Sequence, residues 1–212
     1  MFVTFEGIDG AGKTTVLTML ADKYRALGKN VLVTREPGGS TLGVQLRAFL
    51  LDSKTHSLDP RAELFLFLAD RAQHVATSIK PALETGTLVF CDRFMDSTFA
   101  YQGGGRGLDL EQLLSLNNAA CNGLIPDVTF LLDLSIETAR ARLEKRAHDA
   151  DPEKETRFDR YATSFHERVR EKYLALANRF RERFHILDAE KSSSDLVNEA
   201  KALLDARLAH DS

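Results

Sequence analysis

The stretch Phe2-Val3-Thr4-Phe5-Glu6-Gly7-Ile8-Asp9-Gly10-Ala11-Gly12-Lys13-Thr14-Thr15 begins as an apolar run, turns through three glycines and continues into helix-like Val16-Leu17-Thr18-Met19-Leu20. Gly7 to Thr14 fits G-x-x-x-x-G-K-[ST], the P-loop pattern. Glycines in such a loop let backbone N–H groups converge on phosphate oxygens, and the helix that follows adds its positive N-terminal dipole. Lys13 is placed to reach the β- and γ-phosphates, and the Thr14 hydroxyl to ligate Mg²⁺. A chance glycine-rich turn needs neither a strand before it nor a helix after it, and both are here in the required order. The stretch therefore predicts a nucleoside triphosphate site built from the run Gly7 to Thr15.

Working outward, the 212-residue chain is long enough for one domain with a substantial core. Its 43% hydrophobic and 28% charged residues are ordinary for a soluble globular protein. A net charge of −3 argues against a general nucleic-acid binder. Cys91 and Cys121 are far apart in sequence, which suggests neither a disulfide framework nor a zinc site, and Cys91 lies in an apolar run as a buried thiol would. No run reaches the ~18 apolar residues of a membrane span. The N-terminus enters the first strand directly, leaving no room for a signal peptide, so the cytoplasm is the expected compartment.

Further strand-like runs lie near Asn30–Thr34, Thr87–Cys91, Val128–Asp133 and Phe184–Asp188, with helical stretches between them. That alternation predicts an α/β fold with a five-stranded parallel sheet covered on both faces. Asp109 with Gln112 has the pattern of an N-cap and its N3 partner, and Gly123 with Pro126 ends that helix. Ser192 with Asp195 caps a final helix whose Leu196, Val197, Ala200, Leu203 and Leu204 form one apolar stripe. Pro60–Glu84 reads as one long helix. Ala147–Thr156, polar, charged and interrupted by Pro152, is the expected mobile piece.

Ligands of such sheets bind beyond the carboxyl ends of the strands. After the second strand comes Arg35-Glu36-Pro37-Gly38-Gly39-Ser40, a turn that Pro37 stiffens, with a cis peptide as one option; an ordinary surface turn is the plainer reading. After the third comes Asp92-Arg93. Asp92 suits the Walker-B role of holding the Mg²⁺ shell, or else caps the next helix. Arg93 can bind phosphate through its guanidinium fork, or simply pair with Asp70 or Asp92. Phe67 and Arg71, four apart on one helix face, can stack and hydrogen-bond a nucleobase, although Phe67 taken alone is more often a core residue. Ser97, Thr98, Tyr101 and Gln102 offer donors and acceptors close to Asp92-Arg93, and the glycines at 103–105 serve to end that helix. Arg140–Arg183 carries 13 Lys or Arg against 9 Asp or Glu. It reads either as a solvated helical face or as a lid at about residues 140–160, with Arg142, Arg146, Arg157 and Arg160 flanking its polar centre.

In combination these motifs resemble the thymidylate kinase family, which phosphorylates dTMP to dTDP on the way to dTTP. The likeness runs through Phe5 to Thr15, Thr34-Arg35-Glu36-Pro37-Gly38-Gly39, Leu68-Ala69-Asp70-Arg71-Ala72-Gln73-His74, Asp92-Arg93-Phe94 and Ser97-Thr98-Phe99-Ala100-Tyr101-Gln102-Gly103. The resemblance implies the P-loop nucleoside monophosphate kinase fold. By it, Phe67 would stack on thymine and Arg71 would bond its carbonyl edge. Thr98 and Gln102 would help recognise the base, with Ser97 nearby. Tyr101 would lie where a ribose 2′-OH would protrude. Asp9 would face the sugar 3′-OH and phosphate of dTMP. Arg93 would bind that phosphate, assisted by Glu36 through water or metal and by Arg35 and Arg47.

The resemblance further implies ATP as donor with Mg²⁺ held at Thr14 and Asp92, and a homodimer packed through helices. No arginine stands within the P-loop, so the chain resembles the bacterial style, in which lid arginines supply the charge. Arg142 is then assigned to ATP, and Arg146 and Arg157 join Lys13, Arg93 and Asp9 as the catalytic set. Phe94 replaces a residue that is often Tyr or His, removing a polar tip and no proposed ligand. Catalysis of this kind is positioning plus neutralisation of charge on the transferring group, with lid closure excluding water. Two rivals stand beside it: a kinase for another nucleoside monophosphate or a nucleoside, and a P-loop ATPase that controls a partner.

Overall fold

The computed structural model describes residues 1–52, 58–149, 158 and 161–210, with the side chains of 146–149 and 210 excepted. The described residues form five strands: β1 (Phe2–Glu6), β2 (Val31–Arg35), β3 (Leu88–Asp92), β4 (Val128–Asp133) and β5 (Phe184–Asp188). All pair in parallel in the order β2-β3-β1-β4-β5, so the strand that feeds the P-loop is central. The predicted strand bounds hold to within one residue. β1, β3 and β4 are buried on both faces, as their continuous apolar runs require. Phe5 packs against Phe90 and Phe130 at ring-centroid distances of 5.9 and 5.5 Å, joining the three central strands by their side chains. The edge strand β2 is only half-buried.

Helices α1 (Lys13–Ala26), α2 (Thr41–Leu51), α3 (Pro60–His74), α4 (Lys80–Glu84), α5 (Met95–Thr98), α6 (Leu110–Cys121), α7 (Ile136–Asp149), α8 (Thr163–Arg179) and α9 (Ser193–His210) surround the sheet. Val16, Leu17, Leu20 and Tyr24 of α1 are buried, and the Tyr24 hydroxyl donates to Asp205 of α9 at 2.7 Å. The predicted caps are in place. Gln112 N–H donates to Asp109 Oδ1 at 2.9 Å, Asp195 N–H to Ser192 Oγ at 3.2 Å, and α6 ends through left-handed Asn122 and Gly123. No described helix is long and apolar enough to cross a membrane.

Two helical readings hold and gain detail. Residues 60–84 do form continuous helix, but Val75–Ile79 widens into a π turn. It lies just ahead of Pro81, whose ring would otherwise press on the carbonyl one turn back. The glycines at 103–105 do close their helical segment, which stops at Gly105, but they do more than end it. They lie within a π segment, Phe99–Gly105, that packs on α8. A Cβ at Gly104 would come 2.8 Å from the Arg168 carbonyl, and one at Gly105 would come 2.4 Å from the Phe165 ring. Close approach of two helices is what these glycines permit.

Candidate active site

β1 delivers the chain into a loop that only glycine can follow at two points. Gly7 has φ 135°, and a Cβ there would meet the Leu132 carbonyl oxygen at 2.4 Å; Gly10 has φ 85°, with the Ala139 oxygen at 2.8 Å. Lys13 opens α1 and turns back, donating to the carbonyls of Ile8 at 2.8 Å and Gly7 at 3.1 Å. Burial and the Arg93 charge push its ammonium down to about 8, against the opposing pull of Asp9 and Asp92. The Thr14 hydroxyl donates to Asp92 Oδ2 at the tip of β3. This hydroxyl–carboxylate pair is an all-oxygen donor set of the kind a hard divalent cation takes. Asp92 does not cap α5, whose N-cap position is Phe94.

Arg93 ties the P-loop to β3. It adopts φ 70°, uncommon for a non-glycine residue, and this turns the side chain back over β1. Nη2 donates to Asp9 Oδ1 at 2.7 Å and to the Tyr101 hydroxyl at 3.1 Å. Nη1 donates to the Gly7 carbonyl, Ser97 Oγ and the Tyr173 hydroxyl at 3.0, 3.1 and 3.2 Å. Tyr101 in turn donates to Asp9 Oδ2 at 3.0 Å. Burial works to raise Asp9, but Arg93 and Lys13 outweigh it and hold the carboxyl well below its usual range. The partner of Arg93 is thus Asp9, not Asp70 or Asp92.

A second cluster lies where β2 meets α3. The Glu36–Pro37 peptide is cis. Buried Glu36 accepts from Arg71 Nε at 2.8 Å and sits 3.0 Å from His74 Nδ1. Arg71 also donates from Nη1 to Thr98 Oγ1 at 2.8 Å and Asn117 Oδ1 at 2.5 Å, and from Nη2 to the Phe94 carbonyl at 3.0 Å. Arg47 Nη1 donates to the Pro37 carbonyl at 2.9 Å; Arg35 stays exposed at the end of β2, close enough to lower Arg47 further once burial has done so. Phe67 is half-buried, with its ring 6.3 Å from Phe158, which meets Tyr101 edge-on at 5.6 Å. Gln102 donates to Glu63 Oε1 at 2.9 Å, and Glu63 also accepts from Arg106 at 2.8 Å.

Two clusters thus stand at the carboxyl ends of β1, β2 and β3, one around a P-loop lysine and one around a buried arginine. The thymidylate kinase family model matches residues 5–200. The chain belongs to the thymidylate kinase family. It is 55% identical over 209 residues to the thymidylate kinase of Desulfovibrio desulfuricans, covering 98% of this chain and 96% of that one. It is 52% identical over 201 residues to that of Solidesulfovibrio magneticus, covering 94% and 96%. The crystal structure of thymidylate kinase from Ehrlichia chaffeensis superposes with a TM-score of 0.78 at 34% identity, over 97% of this chain and 98% of that one.

Within this thymidylate kinase family member, the residues singled out from sequence fall into three groups. Asp9, Lys13, Thr14, Asp92, Arg93, Ser97 and Tyr101 converge at the P-loop. Glu36, Arg47, Arg71 and Thr98 gather where β2 meets α3, while Phe67 faces Phe158 and Gln102 bonds Glu63. Arg142 stands apart on α7, donating to the Ala189 carbonyl at 2.9 Å. Arg146 lies on α7 with its side chain outside the described residues, as are Arg157, Arg160 and most of Ala147–Thr156. The sequence reading gave no role to Glu6 and His74, which it met only within motifs, and passed over Asn117 and Tyr173. Glu6 carried a signal, since an acidic residue closing the buried run Phe2–Glu6 needs partners. Asn117 and Tyr173 carried none, being ordinary members of long helices.

Proposed function

We propose that this enzyme transfers the γ-phosphoryl group of ATP to the phosphate of dTMP, giving dTDP, in the cytoplasm and as a homodimer. The observation that carries this reading is the fork of Arg93 at the P-loop, bonded to Asp9 and Tyr101 and sharing the Gly7 carbonyl with Lys13. It puts an anion-binding guanidinium next to a triphosphate-binding lysine, as transfer between two phosphates requires. Thr14 and Asp92 would hold Mg²⁺, which neutralises charge on the nucleotide's phosphates. Asp9 and Tyr101 orient Arg93 and line the sugar side of the acceptor. A phosphate dianion is already nucleophilic near neutral pH, so positioning and charge neutralisation suffice without a strong general base.

Phe67 and Arg71 form the base site in this reading, with Thr98 and Gln102 beside them. Arg35 and Arg47 support the acceptor phosphate, and Glu36 does so through water or metal. Arg142 takes the ATP side. Residues 140–160 close as a lid carrying Arg146 and Arg157, within a single kinase domain spanning 1–212. The test is ADP release from Mg²⁺-ATP, followed spectrophotometrically with no acceptor and then with dTMP, dUMP, UMP, CMP, AMP and GMP. Strong stimulation by dTMP and weaker stimulation by dUMP is the expected result. A best response to another monophosphate would discard the thymine site, and turnover indifferent to every acceptor would leave a P-loop ATPase.

A further inference from the structure

Glu6 ends β1 immediately before the P-loop, and its carboxylate is fully buried. Phe94 N–H donates to Oε1 at 2.7 Å; the hydroxyls of Ser97 and Tyr173 donate to Oε2 at 2.7 and 2.8 Å. The same two hydroxyl oxygens accept from Arg93 Nη1, whose third partner is the carbonyl of Gly7, the residue after Glu6. A guanidinium has only donors and an ionised carboxylate only acceptors. The two hydroxyls also lie 2.8 Å from each other, so with Glu6 ionised their protons run towards the carboxylate, directly or one through the other, and their lone pairs face Arg93.

We propose that Glu6 and Tyr173 are positioning residues for the acceptor phosphate: the carboxylate sets the polarity of the Ser97 and Tyr173 hydroxyls, and these fix the Arg93 guanidinium. The proposal rests on Arg93 being the group that binds that phosphate. It gives a reason for a costly buried carboxylate beside the P-loop, where an apolar residue would satisfy the strand. Tyr173 sits on α8, so the helix following the predicted lid contributes directly to the pose of Arg93.

Glu6→Gln, compared with the wild type at pH 8, above the range in which Glu6 holds a proton, tests the polarity argument at constant shape. With its oxygen kept on Phe94 N–H, the new NH₂ faces both hydroxyls, and a hydroxyl proton is forced towards Arg93. With the amide reversed, the Phe94 N–H faces another donor. Either way kcat/KM for dTMP is expected to fall about 10- to 100-fold, while KM for ATP changes less than about threefold. Because the two residues act as one unit, Glu6→Gln combined with Tyr173→Phe should lose clearly less than the product of the single losses. Fully multiplicative losses, or equal losses for both substrates, would overturn the proposal.

Circular dichroism and urea melts monitor the fold. Should Glu6→Gln not fold, Tyr173→Phe alone decides: a loss confined to dTMP supports the proposal, and near-normal kcat/KM for dTMP overturns it. If the wild-type enzyme prefers another monophosphate, the thymine reading fails and the same cycle is run on that acceptor. Additivity there overturns the positioning role alone.

Discussion

The Arg71 guanidinium meets the Glu36 carboxylate at 2.8 Å, with both side chains almost wholly removed from solvent. Burial works to lower the Arg71 pKa, but Glu36 and weaker contributions that include Asp70 together outweigh it and the net shift is upward, so the arginine stays charged in the interior. Its other donors go to Thr98, Asn117 and the Phe94 carbonyl, which ties the turn after β2 to α3, α5 and α6. A residue assigned to the base edge is therefore also a structural cross-link.

Arg71→Ala should consequently have two separable effects. Removing one member of a buried pair strands Glu36, and stability should fall by about 3–5 kcal/mol in urea unfolding. In the protein that remains folded, KM for dTMP should rise by the equivalent of about 1–3 kcal/mol, much more than KM for ATP. Equal losses for both substrates would remove Arg71 from the base site and leave only its structural part.

The contrast between these clusters shows what the sequence could reveal. The sheet was legible because each strand is a short apolar run bounded by turn residues, and the helix ends because Asp109 and Ser192 cap in the usual way. The P-loop was legible because its glycines and Lys13 stand at fixed spacing in one segment. The hub at Arg93 was not, since Asp9, Tyr101 and Tyr173 come from three distant segments and meet only through the strand order. The glycines at 103–105 were read only in part, for a related reason. Their helix-ending tendency is local, whereas the packing against Arg168 and Phe165 that requires them is not.

Lys13, pushed down to about 8 by burial and by Arg93, gives a proton-linkage prediction. Phosphates brought to its ammonium favour the charged form and raise its pKa. ATP binding at pH 8 to 9 should then take up protons, and the uptake should fade towards pH 7, where Lys13 is already charged. Calorimetry of ATP binding in buffers of different ionisation enthalpy measures this directly. Lys13→Ala should abolish the uptake and cut kcat by about two orders of magnitude or more, with an unchanged circular dichroism spectrum. Near-normal turnover in that variant would sink the P-loop assignment.

Glu6 makes the enzyme's stability depend on pH near neutrality. Burial, reinforced by the charge of Asp96, raises its carboxyl from 4.5 to about 7. Between those values the folded chain holds a proton that the unfolded chain has released. The contribution is therefore complete below 4.5 and is lost as pH rises to about 7, an effect of about 3 kcal/mol. Asp70, raised to about 6 by burial and Glu36, acts in the same direction over a lower window. Glu6→Gln cannot ionise, so its stability should decline less than the wild type's between pH 6 and 7. Parallel curves for the two proteins would place the Glu6 pKa outside that window.

The Asp96–Arg183 fork offers an independent handle on the same carboxylate. Arg183 donates to both Asp96 oxygens at 2.7 and 2.8 Å, and to Thr129 Oγ1 at 2.8 Å. Its guanidinium also lies 4.6 Å from the centre of the Phe184 ring. Arg183→Met should lower stability by about 3–5 kcal/mol, because it leaves a fully buried carboxylate unpaired. Replacing both members, as Asp96→Leu with Arg183→Met, should recover most of that loss, since an apolar pair strands no charge. Asp96→Asn has a further consequence for Glu6. It removes the negative charge that adds to burial in raising the Glu6 pKa, so the upper end of the pH window should move below about 7. Urea melts of this variant between pH 5 and 8 test the shift, and an unmoved upper limit would mean that burial alone sets the ionisation of Glu6.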